Sequence, residues 1–226
     1  MQILGITSQK GGVGKTTLAM NLAVAASGTG TPTIVFDLDP QASAMGYYDR
    51  RVSGGGADQP KVVSIQAVRL PQELKSAMEE GYELAIIDTP PNVSGNAVHI
   101  SQAGDLILIP AQPSALDLDA IQISIDIVKQ SGRPGAVILN RCKPHGTIAE
   151  EAQQLIEQRF QFPVVPQIIG DRVAYNYAAT SGQGVLESEP SSKAGEEIAA
   201  LWKWVSKALT DVKRADEATL KEVANG

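Results

Sequence analysis

The sequence is poor in cysteine, histidine and aromatic residues, with one cysteine, two histidines and 4% aromatics. The lone Cys142 excludes an internal disulfide, and it excludes the paired cysteines that hold an iron–sulfur cluster or a zinc ion. His99 and His145 are isolated in sequence, which favours ordinary surface or partly buried residues over metal ligands. No apolar run approaches the roughly eighteen residues needed to cross a bilayer, so we expect a cytoplasmic protein.

A strongly basic balance is also missing. The net charge of −6 argues against a protein that is basic all over, but it leaves room for a local basic face. The chain has 226 residues, of which 43% are hydrophobic, and this predicts a single domain with one substantial core. The stretch Ser53–Pro60 contains three consecutive glycines and is predicted to be a surface loop. Residues 210–226 mix acidic and basic side chains, which predicts a flexible tail.

Short, almost continuous apolar runs alternate with patterns of helical spacing along the chain. Such runs are typical of parallel strands that are covered on both faces. The runs are Gln2–Thr7, Thr33–Phe36, Leu84–Ile87, Leu106–Ile109 and Ala136–Leu139. Helices are predicted over about Lys15–Ala26, around Leu118–Val128, and from Thr147, where Glu150 completes a capping box. The alternation predicts an α/β fold, a mostly parallel twisted sheet with helices on both faces, in which ligands bind at the carboxyl ends of the strands.

A glycine-rich loop lies between the first predicted strand and the first predicted helix. Glycines allow backbone amides to converge on phosphate oxygens, and the helix that follows points its positive end at the same anion. Lys15 is predicted to neutralise the β- and γ-phosphates of ATP, and the Thr16 hydroxyl to ligate Mg²⁺. Gln9 stands where the common P-loop has a glycine, so the loop is a variant form. The predicted nucleotide-binding residues of the loop are Gly11, Gly12, Val13, Gly14, Lys15, Thr16 and Thr17.

A second lysine, Lys10, begins this loop. The pattern from Lys10 to Thr17 resembles the deviant Walker A motif of the ParA/MinD family of P-loop ATPases. In that family the corresponding lysine reaches across a dimer interface to the nucleotide of the partner. The resemblance therefore implies an ATP-bound homodimer in which Lys10 acts with Lys15 in catalysis.

Aspartates follow two of the apolar runs. Asp37 and Asp39 fall in a segment that resembles the Asp-x-Asp-Pro-Gln motif of the family, and the resemblance implies that Asp39 orients the attacking water while Asp37 supports the magnesium shell or the switch loop. The competing interpretation is that both aspartates cap the segment that follows them. Asp88 ends a strand of the Walker B type and is predicted to hold Mg²⁺, with the switch segment Thr89–Pro91 after it.

The resemblance covers residues 2 to about 209. It implies that Asn140, with Arg141 beside it, contacts the adenine, because an asparagine amide offers both a donor and an acceptor. In ParA relatives, basic residues in the C-terminal part bind non-specific DNA. Arg172 and Lys193 occupy matching positions here, and Lys203 and Lys207, beside the last apolar stripe, are further candidates. The chain starts at its first strand, so we expect no helix-turn-helix extension and no operator-specific binding.

The resemblance implies a switch ATPase with slow hydrolysis, stimulated by a separate ParB-like or cargo adaptor protein. Plasmid or chromosome partition, or cargo positioning on the nucleoid, is the leading role. Two alternatives stay open. One is a membrane-associated regulator like MinD, although the terminal apolar stripe, Ile198 to Leu209, is better explained by docking on the core. The other is a metabolic P-loop ligase, such as a biotin-pathway synthetase, against which Lys10 and Asp37–Gln41 count.

Overall fold

Six parallel strands form one twisted sheet at the centre of the molecule. A computed structural model describes residues 1–91, 97–113, 118–143 and 147–224; His145 lies outside these residues, as do the last two residues and the side chain of His99. The strand order is β3-β2-β4-β1-β5-β6. The strands are β1 (Gln2–Ile6), β2 (Thr33–Asp37), β3 (Lys61–Ser64), β4 (Leu84–Asp88), β5 (Leu106–Ala111) and β6 (Gly135–Leu139). The predicted α/β fold is confirmed.

The five apolar runs form β1, β2, β4, β5 and β6, and of the six described strands the sequence missed β3, at one edge of the sheet. The segment Lys61–Ser64 alternates between buried and partly exposed positions and contains only two apolar residues, so no continuous run marks it. The direction in which strands are added to the sheet changes at β1. The chain leaves β1 through α1 toward β2 on one side, and β5 lies on the other side of β1. A crevice for ligands is expected at such a point of an open parallel sheet.

Helices cover both faces of the sheet. Alternate residues of the strands enter different apolar clusters, so that Val35 packs with α1 and α9 while Ile34 and Phe36 pack with α3. The helices in this layer structure are α1 (Lys15–Gly28), α2 (Ser43–Ser53), α3 (Leu70–Glu79), α4 (Ala97–Ala103), α5 (Leu118–Ser131), α6 (Ile148–Phe160), α7 (Val173–Thr180), α8 (Val185–Ser188) and α9 (Lys193–Ala224). Helix α1 is buried almost all round, which matches its uniformly apolar sequence.

Two predictions about helix ends need correction. The chain from Thr210 onward was predicted to be a flexible tail, but α9 continues to Ala224. Its residues are mostly good helix formers, and they extend a helix that the buried Leu209 and the residues before it already anchor. The predicted capping box at Thr147 is absent, because the Thr147 hydroxyl contacts the Glu151 side chain and makes no cap hydrogen bond.

The segment after α6 runs along the open edge of β6. Two parallel bridges, Val137 with Val164 and Cys142 with Gly170, hold it there. The segment therefore reaches the carboxyl ends of the strands, and α7 begins just beyond it at Val173. This path places the residues from Ile169 onward beside the loop that follows β1.

A buried ion pair joins α2 to α8. The Arg51 guanidinium is buried and donates to both carboxylate oxygens of Glu187 at 2.7 and 2.6 Å, and it also donates to the carbonyl oxygen of Gly182 at 3.1 Å. Gly182 has a φ of 63°, and a Cβ there would lie 2.2 Å from the backbone nitrogen of Arg51. Only glycine fits this crossing of two chain segments.

We therefore expect Gly182→Ala to lower the free energy of unfolding by about 2–4 kcal/mol, because it adds a backbone clash to the cost of a positive φ. Gly30→Ala is the matched control: its φ is 85°, but no atom lies within 4 Å of the added Cβ. That variant should lose only about 1 kcal/mol. Urea unfolding of both variants measures the difference, and equal losses would contradict the close packing of Arg51 on Gly182.

Candidate functional site

The loop between β1 and α1 is shaped by two glycines. Gly12 has a φ of 74° and Gly14 a φ of 91°, conformations that L-residues rarely adopt. A Cβ at Gly14 would also lie 2.4 Å from the Nδ2 atom of Asn140. The loop thus turns its backbone toward the first turn of α1, the geometry in which amides and a helix N-terminus meet an anion.

Lys15, the first residue of α1, points into this loop. Its side chain is buried, and its ammonium donates to the carbonyl oxygen of Lys10 at 3.4 Å. Burial lowers the pKa of Lys15, while the carboxylates of Asp88 and Asp39 act in the opposite direction. An ammonium that is removed from water and held by its own loop is prepared to meet phosphate oxygens.

Asp88 ends the central strand β4, level with Ile6 of β1 and Asp37 of β2 in the strand register. Its side chain is fully buried, and within the described ranges neither carboxylate oxygen has a partner of good hydrogen-bond geometry, although the Thr16 hydroxyl is near enough to affect its pKa. Burial raises the pKa of Asp88 to about 7; the Asp37 and Asp39 carboxylates add to this rise, and Lys15 and the nearby Thr16 hydroxyl oppose it. A buried carboxylate without a partner is costly, and a bound cation would remove that cost.

This set of residues fits a magnesium–nucleotide complex. Magnesium is commonly held by one or two carboxylates together with substrate phosphates and water, so it needs no large acidic cluster. Among the described residues there is indeed no group of three or more His, Cys, Asp or Glu side chains arranged to hold a metal. Thr16 and Asp88 are the residues that would hold the ion. Such an ion would supply positive charge against the negative charge that develops on the phosphate groups.

Asp37 has a different main role from the predicted one. Its carboxylate accepts hydrogen bonds from the backbone amides of Asp39, Ala44 and Met45, at 3.0, 2.9 and 3.1 Å. The last two belong to the first turn of α2, so Asp37 caps this helix, as the competing interpretation of the sequence proposed. Three backbone donors leave the carboxylate little capacity for a metal, and a magnesium contact by Asp37 is not supported by this geometry.

Asp39 lies beyond the end of β2 and faces the cavity above the loop. Its Oδ1 atom accepts from the Gln41 amide at 2.9 Å, and the side chain is only partly buried. A carboxylate in this position is available to orient a water molecule near the phosphate end of the cavity. The role that the resemblance implies for Asp39 stays a prediction.

Asn140 and Arg141 brace the loop. The Asn140 Nδ2 atom donates to the Val13 carbonyl oxygen at 2.7 Å, and the Arg141 Nη1 atom donates to the Gly12 carbonyl oxygen at 3.1 Å. This bond uses one of the two N–H donors of the Asn140 amide, so the adenine contact that the resemblance implies stays a prediction. Arg141 also pairs with Asp171 at 3.5 Å.

A cavity of about 480 Å³ opens over the loop, which is within the range for a small-molecule site. One end is formed by the glycine loop and Asp39, and the far wall by α2, α7 and the segment before α7. Sequence reasoning missed several residues of this far wall, because they come from distant parts of the chain and carry no motif. They are Tyr47, Arg50, Asp171, Tyr175 and Asn176.

The four predicted DNA-binding residues do not share one environment. Lys193, Lys203 and Lys207 lie on α9 with exposed side chains. Arg172 instead forms an ion pair with Glu197, with 2.5 Å between Nη2 and Oε1. Because this carboxylate offsets its charge, Arg172 is a weaker candidate for phosphate contact than the three lysines.

Comparison with known proteins places the chain in a family. The family model described as "CobQ/CobB/MinD/ParA nucleotide binding domain" matches residues 4–185. The chain belongs to this family. The ParA/MinD resemblance inferred from the loop is thereby confirmed, and the loop, Lys15 and Asp88 fall within the matched range.

Relatives in this family match most of the chain. "Maintenance of carboxysome distribution protein A" of Gloeobacter kilaueensis is 33% identical over 190 residues, 82% of this chain and 84% of that protein. "Chromosome-partitioning ATPase Soj" of Thermus thermophilus is 23% identical and is matched over 84% of this chain and 89% of its own length. These relatives are named for carboxysome distribution and for chromosome partitioning.

Solved structures of the family share the fold. MinD of Pyrococcus horikoshii, in complex with Mg-ADP, superposes with a TM-score of 0.74 at 22% identity, over 91% of this chain and 96% of that chain. An ATP complex of a Cyanothece McdA variant superposes with a TM-score of 0.69 at 18% identity, over 93% of this chain and 96% of that chain. At these identities the likeness shows the fold alone.

The two buried aspartates of this ParA/MinD-family chain should respond in opposite ways to the loss of their charge. Asp88→Asn should raise the thermal stability of the protein in EDTA, because it removes a charged group without partners. Asp37→Asn should lower stability by about 1–3 kcal/mol, because one amide oxygen cannot replace a carboxylate that accepts from three amides.

The stability gained by Asp88→Asn should grow as the pH rises from about 4 to about 7. Within this window the unfolded chain has released the proton that the folded chain still holds, because the pKa of Asp88 is raised to about 7 in the fold. Thermal unfolding at several pH values measures this. If Asp88→Asn lost stability at pH 8 as Asp37→Asn does, the Asp88 carboxylate would have stabilising partners in the fold, which would contradict a carboxylate without partners.

Proposed function

We propose that this chain is an ATP-dependent switch that dimerises on binding ATP, binds non-specific DNA, and drives the partition of a plasmid or chromosome or the positioning of another cargo on the nucleoid. The observation that carries the proposal is the cavity lined by the glycine loop, Thr16 and a desolvated Lys15, with the buried Asp88 carboxylate close enough to act on the charge of Lys15. Relatives named for carboxysome distribution and chromosome partition support the cellular role.

The residues divide the work of ATP hydrolysis between them. The loop amides and Lys15 bind the phosphates, and Thr16 and Asp88 hold the metal. Asp39 orients the attacking water, because phosphoryl transfer depends mainly on in-line placement of the nucleophile. Asp37 contributes indirectly, since it fixes the start of α2 and the Asp39 backbone beside the phosphate end.

Lys10 completes the site of a second copy. Gly11 and Lys15 line the cavity of their own chain, whereas the Lys10 side chain is not among its lining residues. Its backbone already serves the loop, because its carbonyl oxygen accepts from the Lys15 ammonium. A lysine that begins the phosphate loop but does not line its own cavity is placed to supply charge to a partner's nucleotide, the role of an arginine finger in other NTPases.

A mixing experiment tests this assignment. Lys10→Ala and Asp39→Ala should each lose ATPase activity by at least about a hundredfold when assayed alone. Mixed in equal amounts, they should regain about a quarter of the wild-type activity, because about half of the dimers are mixed and each mixed dimer has one complete site. The Lys10→Ala chain supplies Asp39 to that site, and the Asp39→Ala chain supplies Lys10.

Lys15→Ala serves as the control for the mixture, because a chain that cannot bind ATP should rescue neither variant. If Lys10 acts on the nucleotide of its own chain, no mixed dimer contains a complete site. An inactive mixture of variants that still dimerise with ATP would therefore contradict the assignment of Lys10 to the partner's site.

The DNA-binding surface is assigned to α9. Lys203 and Lys207 are exposed and four residues apart on one helix, so they present positive charge on one side of it. Dimerisation doubles the number of such charges, which strengthens contact with a polyanion without base recognition. A separate adaptor protein on the cargo stimulates hydrolysis and releases the dimer. No helix of the described residues is long and apolar enough to cross a membrane.

The double variant Lys203→Glu/Lys207→Glu should bind random-sequence DNA more weakly in the presence of ATP. The slope of log affinity against log salt should become shallower by about 2–4, since two to four phosphate contacts are lost per dimer. The control is Arg69→Glu/Lys75→Glu, with Arg69 just before α3 and Lys75 within it, which makes the same change of charge at exposed positions. Equal loss in both double variants would point to net charge alone, and capture by anionic liposomes instead of DNA would reject the proposed surface.

A further inference from the structure

Glu197 on α9 collects four hydrogen-bond donors from a single stretch of chain. Its carboxylate accepts from the Gly170 amide at 3.1 Å, from Nε and Nη2 of Arg172 at 3.0 and 2.5 Å, and from the Tyr175 hydroxyl at 3.4 Å. The side chain is 13% exposed, and that of Arg172 is 27% exposed. Pairs that are partly withdrawn from water and bonded through several atoms hold geometry better than surface ion pairs do.

The stretch that Glu197 holds forms the far wall of the nucleotide cavity. Ile169, Asp171, Arg172 and Tyr175 all line it, opposite the glycine loop. Under the proposed function a triphosphate would lie at the loop end, where the glycines, Lys15 and Thr16 line the cavity, and the base and the ribose would take the remaining space beside Ile169 and Tyr175. Buried Ile169 and the Tyr175 ring give this wall apolar surface for a flat base.

Backbone hydrogen bonds join this wall to the end of β6 and the residues just after it. The Ile169 amide donates to the Leu139 carbonyl oxygen at 2.9 Å, and the Asp171 amide donates to the Cys142 carbonyl oxygen at 2.8 Å. The side of the wall that faces away from β6 depends on the carboxylate of Glu197, which binds the Gly170 amide and the side chains of Arg172 and Tyr175.

We propose that Glu197 is a positioning residue for the nucleoside half of the site. It fixes the Ile169–Tyr175 wall against α9 and so raises affinity for the base and ribose without contacting the phosphates. The inference rests on the proposed nucleotide-binding function. It also links the occupied cavity to the helix that carries Lys203 and Lys207, because the wall and α9 are joined at this carboxylate.

The test compares two ligands by calorimetry on the full chain: Mg-ATP, and magnesium tripolyphosphate, which has the phosphates but no nucleoside. Glu197→Ala should weaken Mg-ATP binding about tenfold, because it removes charge-assisted hydrogen bonds that order the wall. Binding of tripolyphosphate should stay within about twofold of wild type. The Mg-ATP affinity of Glu197→Gln should lie between that of Glu197→Ala and that of the wild type, since the amide oxygen of Gln can still accept from the Gly170 amide.

Glu196→Ala is the matched control, an exposed glutamate one position earlier on the same helix, and it should bind both ligands as wild type does. If both variants bound Mg-ATP and tripolyphosphate equally more weakly, the cause would be a general loss of structure, and the proposal would be overturned. Unchanged Mg-ATP binding in either variant would also overturn it. If Glu197→Ala fails to fold, the ratio of the two affinities in Glu197→Gln decides. Absence of ATP binding in the wild-type chain would instead refute the proposed function.

Discussion

The Asp88 carboxylate lies at the end of the central strand, without exposure to water and without a hydrogen-bond partner. A fold tolerates a buried carboxylate of this kind when a bound cation or donor compensates its charge, and the neighbouring residues indicate which ligand this is. Lys15 is desolvated and points along the glycine loop, and the Thr16 hydroxyl lies close to Asp88. A magnesium–triphosphate complex needs cationic and amide donors for its phosphates and oxygen ligands for its metal. Lys15 and the loop amides are such donors, and Asp88 and Thr16 carry such oxygens. The ligand-free site is thus costly to the fold, and this cost favours nucleotide binding.

The surroundings of this site connect it to the rest of the molecule through a few polar contacts made by helices. Asp37 ties the end of β2 to the start of α2. At the other end of α2, Arg51 binds Glu187 of α8, and Arg50 donates to the carbonyl oxygen of Ala179 in α7 at 2.9 Å. Glu197 then holds the segment before α7 against α9. The phosphate end and the nucleoside end of the cavity are consequently fixed by different helices. A change of nucleotide could therefore move the surface through α2 or through α9.

The sequence was sufficient for those parts of the structure that depend on neighbouring residues. Continuous apolar runs identified five of the six described strands, and the spacing of glycines and Lys15 predicted the phosphate site. Long-range contacts were not predictable in the same way. Nothing near Arg172 in the sequence reveals that Glu197, 25 residues later, neutralises it, and nothing near Asn140 reveals its bond to Val13. Asp37 and Asp39 look alike in sequence, and only the position of α2 separates a helix cap from a residue that faces the cavity.

The central claim is that Asp88 and the glycine loop form one magnesium-dependent nucleotide site. Calorimetric titration of the wild-type chain with ATP, once with excess Mg²⁺ and once with EDTA, tests it most directly. The account predicts one site per chain, bound at least about tenfold more weakly without the metal, since the buried carboxylate then faces the phosphates with no cation between them. Equal affinity under the two conditions would contradict the assignment of Asp88 as the group that holds magnesium.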